Sequence, residues 1–163
     1  MLVPFAPGGG IDFLARVTAQ ELSDRLGQQF VIENQTGGGG TIASYTLANA
    51  KPDGYTIIFQ SSSSAAVVPA VSKNLRDDPI KSFEPVSLVG ALPLVLVVNK
   101  DLPVTDLSAT IGEMMRDEKV VKRLKDVGNE PIGSTPAELD KYWKSEIELY
   151  RKIVTDAGIK LEQ

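Results

Sequence analysis

Cysteine and histidine are both missing from this chain, and tryptophan occurs once. Without cysteine there are no disulfides and no thiol catalysis. Without histidine there is no Ser-His-Asp triad, and the two absences together remove zinc sites of the usual kind. A concentration of positive charge is missing too. Lys and Arg are scattered and form no stripe, and the net charge is −4, so nucleic acid is not an expected partner. No long hydrophobic run is present either. The longest, residues 88–98, is interrupted by Gly90 and Pro93 and falls far short of the ~20 residues that span a bilayer. The residues after Met1 read as a strand, with no basic n-region, apolar h-region or cleavage site. The expectation is a cytoplasmic chain or a mature form whose export signal has been removed.

What is present suits one globular domain. A chain of 163 residues can bury a core, and 42% hydrophobic with 23% charged residues argues against disorder. Residues 2–5 form a short apolar run ending in Pro-Gly chemistry, a buried-strand signal. Residues 11–26 carry Ile11, Leu14, Ala15, Leu22 and Leu26 on one helical face, with Gly27 as a stop. Residues 30–32 read as a second strand and residues 41–50 as a second helix. Lys51-Pro52-Asp53-Gly54 is a turn, and residues 55–59 are a β-branched and aromatic third strand. This alternation predicts βαβ units and a parallel sheet with right-handed crossovers.

Farther on, residues 64–71 begin a short helix. Residues 86–88 and 94–98 read as strands, the latter apolar enough to be central. Residues 108–126 read as one helix. The last helix has a capping box, with Thr135 as N-cap, Pro136 at the first helical position and Glu138 three residues on. Leu139, Tyr142, Trp143, Ile147, Tyr150, Ile153 and Val154 mark its apolar stripe, read as core, and Gly158 is its stop.

Ligands of parallel sheets bind beyond the carboxyl ends of the strands. Three segments fall there: residues 6–10, residues 35–40 and residues 60–64, all rich in small or hydroxyl residues. The glycine runs precede helices, whose first N–H groups and positive dipole end favour an anion. Either each run cradles a carboxylate or phosphate, or it merely closes a strand-to-helix turn. A P-loop is excluded because Ile11-Asp12 follows Gly10 where Lys-Ser/Thr is needed. A dinucleotide fingerprint has Gly8, Gly10 and Glu33 in place but Phe13 where a small residue belongs, and Asp12 would oppose a pyrophosphate. Asp12 is either a first-turn acid stabilised by the dipole or a residue that orients a loop, a ligand hydroxyl or a water. The serines are either a solvated loop or hydroxyl donors to a polar ligand. Nothing activates a serine as a nucleophile, and the residues call for no metal and no cofactor.

In order along the chain, VPFAPGGGIDFLAR, LGQQFVIENQTGGGGTIAS, KPDGYTIIF and FEPVSLVGALPLVLVVNKDLPV resemble the Bug/TctC family. These are periplasmic solute receptors of tripartite tricarboxylate transporters. The tail, VVKRLKDVGNEPIGSTPAELDKYWKSEIELYRKIVTDAGIK, is similar to the end of that family. The resemblance runs in two blocks, residues 2–107 and 109–160. It implies an α/β chain with a type II periplasmic-binding-protein-like fold, a mostly parallel sheet flanked by helices and a long C-terminal helix. It also implies a non-enzymatic, periplasmic receptor for a small organic di- or tricarboxylate, working with membrane transporter components. Carried over by position, the ligand contacts are Phe5, Ala6, Pro7, Gly8, Gly9, Gly10 and Asp12. The second loop adds Gly39, Gly40 and Thr41, and the serine run adds Ser61, Ser62 and Ser63.

One departure from the family is large. After residues 94–98 the family enters a whole second lobe, whereas here residues 103–107 run almost at once into a segment like its penultimate helix. The expectation is a single lobe, 1–107 and 109–163, joined near Ser108-Ala109, with the second lobe and its return strand gone. Solute binding by such a lobe should be weak or absent. The uncovered face near residues 102–107 should favour a homodimer. A small nucleotide- or phosphate-binding domain, and a folding scaffold with no ligand, are the other readings.

Overall fold

The computed structural model describes residues 1–99, 101, 105–126 and 129–156. These fall into two compact units, Met1–Leu92 and Pro93–Asp156.

The first unit is built on strand β1, Leu2–Val3. It pairs in parallel with β2, Glu33–Asn34, with Leu2 opposite Glu33 and Val3 opposite Asn34. On its other side Leu2 makes an isolated parallel bridge to Ile58, with Leu2 N–H donating to Ile57 O at 2.8 Å and Phe59 N–H to Leu2 O at 2.9 Å. The first segment in the chain therefore lies in the middle, as in a pair of βαβ units. Helix α1 (Gly10–Leu26) and helix α2 (Thr41–Ala48) both pack on β1. Leu2, Val3, Phe13, Ala15, Ala19 and Ala43 form the buried core. Alanine dominates the helix side of that core, which brings the helix backbones close to so short a sheet. Gly27 closes α1 as predicted, its N–H bonded to Ser23 O at 2.9 Å. The turn at Asp53 is also found, with Tyr55 N–H donating to Asp53 Oδ1 at 3.1 Å.

The architecture is α/β, a small parallel sheet flanked by helices, with a long C-terminal helix. Several elements nevertheless differ from the sequence pattern. The second strand sits at Glu33–Asn34 and not at residues 30–32. Ser23 Oγ accepts from Phe30 N–H at 2.9 Å and holds that residue against α1, so pairing begins only where Met1's amino group reaches Val31 O at 2.6 Å. Residues 55–59 contribute a bridge in place of a strand. Residues 60–64 do lead into a helix, which begins as a π-helical turn, Ser63–Val67, and continues as α3, Val68–Val71.

In the second unit, residues 94–98 are exposed and form no ladder with the described residues, and residues 86–88 of the first unit behave alike. Their composition signals burial, but a strand exists only where a neighbour supplies N–H and C=O groups. The helix predicted over residues 108–126 is two helices, α4 (Thr105–Met114) and α5 (Glu118–Asp126). Asp117 makes the break. Its Oδ1 accepts from the amides of Lys119 at 2.8 Å and Val120 at 3.2 Å, an N-cap inside the apolar pattern.

Helix α6, Pro136–Asp156, begins at the predicted capping box. Thr135 N–H donates to Glu138 Oε2 at 2.8 Å, and Glu138 N–H to Thr135 Oγ1 at 3.3 Å. Those bonds hold the Glu138 carboxyl below its usual range. The stripe on α6 is not a buried core. No α6 residue is buried, and Trp143 is 43% exposed. Residues 102–104 and the stop at Gly158 lie outside the described residues.

In the first unit, loops pack closely at Gly40. Its φ is +103°, and a Cβ there would stand 2.5 Å from Ser64 Cβ and 3.3 Å from Pro4 Cβ. Gly40→Ala should therefore lower stability by about 2 kcal/mol, from the positive φ and the overlap together. Gly8→Ala, also at positive φ but facing open space, should cost less. Thermal melts of the two variants measure the difference.

Candidate functional site

All three loops named from the sequence leave the carboxyl ends of their strand segments. The first follows β1 directly. Asp12, three residues past the N-cap Gly9, is fully buried. Its Oδ2 accepts from Gly8 N–H at 2.9 Å and from Arg16 Nε at 2.9 Å, and its Oδ1 accepts from Asn34 Nδ2 at 2.8 Å. Asn34 Nδ2 also donates to Phe5 O at 2.9 Å, and Arg16 Nη2 reaches Asn34 Oδ1 at 3.4 Å. Burial by itself would raise the Asp12 pKa. The bonds from Arg16, Asn34 and Gly8 outweigh it and hold the carboxyl below its ordinary value.

The first-turn acid reaches back past the N-cap to the amide of Gly8, one residue beyond where a capping box would place the bond, and the N-cap itself carries no side chain. Helix α1 therefore begins without a side-chain acceptor for its first amides. Gly9 and Gly10 stand there exposed, next to Gly8, Ala6 and Pro7, which are exposed as well. Gly8's own amide is already committed to Asp12.

The second loop has four consecutive glycines, residues 37–40, all at positive φ. It tightens into a single 3-10 turn, Gly38–Gly40, and then becomes α2. Thr41 turns its hydroxyl back onto this loop, donating to Gly38 O at 3.0 Å. Gly39 is exposed and Gly40 is buried against Pro4 and Ser64. In the third loop Ser61 O accepts from Ala65 N–H at 2.9 Å and from Ser64 Oγ at 3.1 Å, while Ser62 and Ser63 are exposed.

Two groupings result. Asn34 ties Phe5 of the first loop, and through Asp12 of α1 also Gly8, to the end of β2. Gly40 ties the second and third loops to Pro4, just past β1. Ala6 and Pro7 have no side-chain bond in either. Arg16, Asn34 and Ser64 organise these groupings and were absent from the sequence-derived set. The i,i+4 spacing of Asp12 and Arg16 was a usable signal for the first. The other two depend on strand register. Beside them, Gln35 Nε2 donates to Glu33 Oε1 at 2.6 Å, while Gln35 Oε1 is shielded from solvent without a partner among the described residues.

The comparisons with known proteins bear on this arrangement. A family model described as the tripartite tricarboxylate transporter family receptor, TctC, matches residues 14–124. The chain belongs to that receptor family. Family membership supports a periplasmic location. Among curated relatives, Protein BugT of Bordetella pertussis is 42% identical over 118 residues, 69% of this chain and 35% of BugT. A UPF0065 protein of Bordetella bronchiseptica is 34% identical over 72% of this chain and 35% of its own length. The solved structure of the periplasmic binding protein BugD is 40% identical, covers 52% of this chain and 28% of that chain, and superposes with a TM-score of 0.47. The chain thus spans about a third of the length of the curated relatives it matches. The first glycine loop and α6 lie outside the span of the family model.

Asp12→Asn keeps the shape and removes the charge from this buried cluster. It should lower stability by about 2 kcal/mol at neutral pH, below the usual cost of breaking a buried pair because Arg16 is partly solvated. The folded-state pKa is depressed, so this stabilisation is complete above the unfolded carboxylate value near ~4 and is lost as pH falls through the folded one. Thermal melts from neutral pH into acid should show the native protein and the variant converging.

Proposed function

We propose that this chain is the glycine-loop half of a solute receptor, binding one carboxylate of a small organic di- or tricarboxylate through main-chain amides. The observation that carries the reading is the buried Asp12 cluster, which holds the first glycine loop on the sheet while leaving α1 with a glycine N-cap. A ligand carboxylate there meets amides of Gly9 and Gly10 and the positive end of a 17-residue helix. In the second loop the amides of Gly40 and Thr41 are committed to Gly37 O and Gly38 O, which leaves Gly39 as its contribution, and Ser61, Ser62 and Ser63 carry the hydroxyls. Phe5, Ala6 and Pro7 shape the rim. Asp12 acts through the loop, positioning Gly8. The shielded Gln35 Oε1 is an acceptor suited to a ligand hydroxyl or a water.

Family membership supports the receptor role, and with it membrane transporter components as partners. The third of the relatives' length that this chain spans supports the reading of residues 1–107 and 109–163 as one lobe's worth of sequence without the second lobe. A cleft binder gains affinity by closing two walls over its ligand and excluding water. With one wall the polar contacts stay solvated and are worth less. The face uncovered by that loss also favours association of two copies, and Leu107, at its described end, is exposed.

Calorimetry with a panel of di- and tricarboxylates, beside a nucleotide as the rival anion, tests the reading. The expected result is carboxylate binding weaker than ~1 μM, with a small upward shift in thermal midpoint and none from the nucleotide. Stabilisation by the nucleotide alone would transfer the site to the phosphate-binding reading. Sub-micromolar carboxylate binding by a proven monomer would refute the one-wall argument.

A further inference from the structure

Asp53-Gly54 is the one place in the sequence where aspartate or asparagine is followed by glycine. Both residues are exposed, as are their neighbours Lys51, Pro52 and Tyr55. Asp53 Oδ1 accepts from Tyr55 N–H at 3.1 Å, two residues on, which folds the carboxyl over the peptide group between Asp53 and Gly54. Gly54 sits at φ +82°, and no heavy atom lies within 4 Å of where its β-carbon would stand. Its amide donates to no acceptor among the described residues. A carboxyl carbon is thus held beside an uncommitted main-chain nitrogen, with room around both. Other aspartates and asparagines lack this combination. Asp12 is buried and precedes Phe13, whose amide bonds to Gly9 O at 2.9 Å. Asp78 precedes Pro79, which has no N–H. Asn34 precedes Gln35, whose amide is committed to Val3 O at 2.9 Å.

We propose that Asp53 is a site of spontaneous covalent modification, closing to a succinimide and reopening mainly as isoaspartate. The Gly54 nitrogen attacks Cγ of the protonated Asp53 carboxyl. An N–Cγ bond forms, a C–O bond breaks, and the carboxyl hydroxyl leaves as water with the amide proton. Water then adds to one of the two ring carbonyls and breaks its bond to nitrogen. Opening at the main-chain carbonyl leaves the chain running through Cβ and Cγ of Asp53, which is isoaspartate. Opening at the other restores aspartate. Glycine permits the closure because a side chain at that position would crowd the ring. The reaction is independent of any ligand. Its product bears on the sheet, because the turn delivers the segment that holds Leu2 on its second side. There Leu2 N–H donates to Ile57 O and Phe59 N–H to Leu2 O. Isoaspartate adds one carbon to the main chain just before that segment and displaces the carboxylate that Tyr55 N–H uses.

Warm incubation of the folded chain for weeks, in mildly acidic to neutral buffer, followed by tryptic digestion tests this. Asp53 is the only aspartate in the tryptic peptide of residues 26–73, since Pro52 blocks cleavage at Lys51. That peptide should pass through a form lighter by one water and accumulate an isomer of unchanged mass. The isomer should accept a methyl group from an isoaspartyl-specific methyltransferase and resist a protease that cleaves before aspartate. Asp53→Glu should abolish the signal, because the larger ring closes far more slowly. Asp53→Asn should accelerate it, with ammonia as the leaving group. The aged wild-type chain should melt below the fresh one, and aged Asp53→Glu should not. Isoaspartate that forms in denaturant but not in the folded chain would overturn the proposal. So would methyl label spread evenly over other peptides, or equal label in aged Asp53→Glu. A converted chain that melts like the fresh one would overturn the effect on the sheet. Should a variant fail to fold, the peptide map of the wild type decides.

Discussion

A single carboxylate holds the first unit's glycine-loop face together. Asp12 is fully buried, a state that costs several kcal/mol for an ion unless its lone pairs are met by donors. Three donors from three places meet it: Gly8 of the loop, Arg16 one turn along the helix, and Asn34 at the end of the neighbouring strand. Each donor brings a different element to one point. The loop between β1 and α1, three glycines long at its end, has little conformational preference of its own. Its position is set by what Asp12 and Asn34 hold, and Asn34 reaches that point only because β2 pairs with β1 in this register.

The same device limits what the loop offers a guest. Gly8's amide is spent inside the protein, so a cradle at this helix start must be made from the following residues. The second loop follows a different logic. Its glycines are needed for closeness as well as for conformation, since Gly40 lies where a β-carbon would strike Ser64 and approach Pro4. One loop is held by charge and hydrogen bonds, the other by absence of side-chain volume. Both fix backbone near the carboxyl ends of the same small sheet, which is where parallel sheets present their sites.

The second unit lacks such an organising point among its described residues. Its helices are well started, α5 by Asp117 and α6 by the box of Thr135 and Glu138, yet none of α6 is buried. Local capping sets where a helix begins, while burial depends on a partner surface. An apolar segment without a ladder and an aromatic stripe without a cover are two forms of the same deficit. They occur in a chain that spans about a third of the length of relatives in its family.

Much of the local structure was legible in the residues. The periodicity of residues 11–26, the Gly27 stop, the turn at Asp53 and the capping box at Thr135 are local chemistry, decided within a few positions of the chain. The glycine loops and the family resemblance were legible for the same reason, as contiguous words in the sequence. What only the tertiary structure decided was pairing: that β2 begins at Glu33, that residues 55–59 give one bridge, that residues 94–98 find no neighbour among the described residues, and that Asn34 and Ser64 complete groupings started elsewhere. Local signals report what a segment is suited to become. Hydrogen-bond ladders and buried ion clusters need a second segment at the right distance, and that distance is a property of the folded chain.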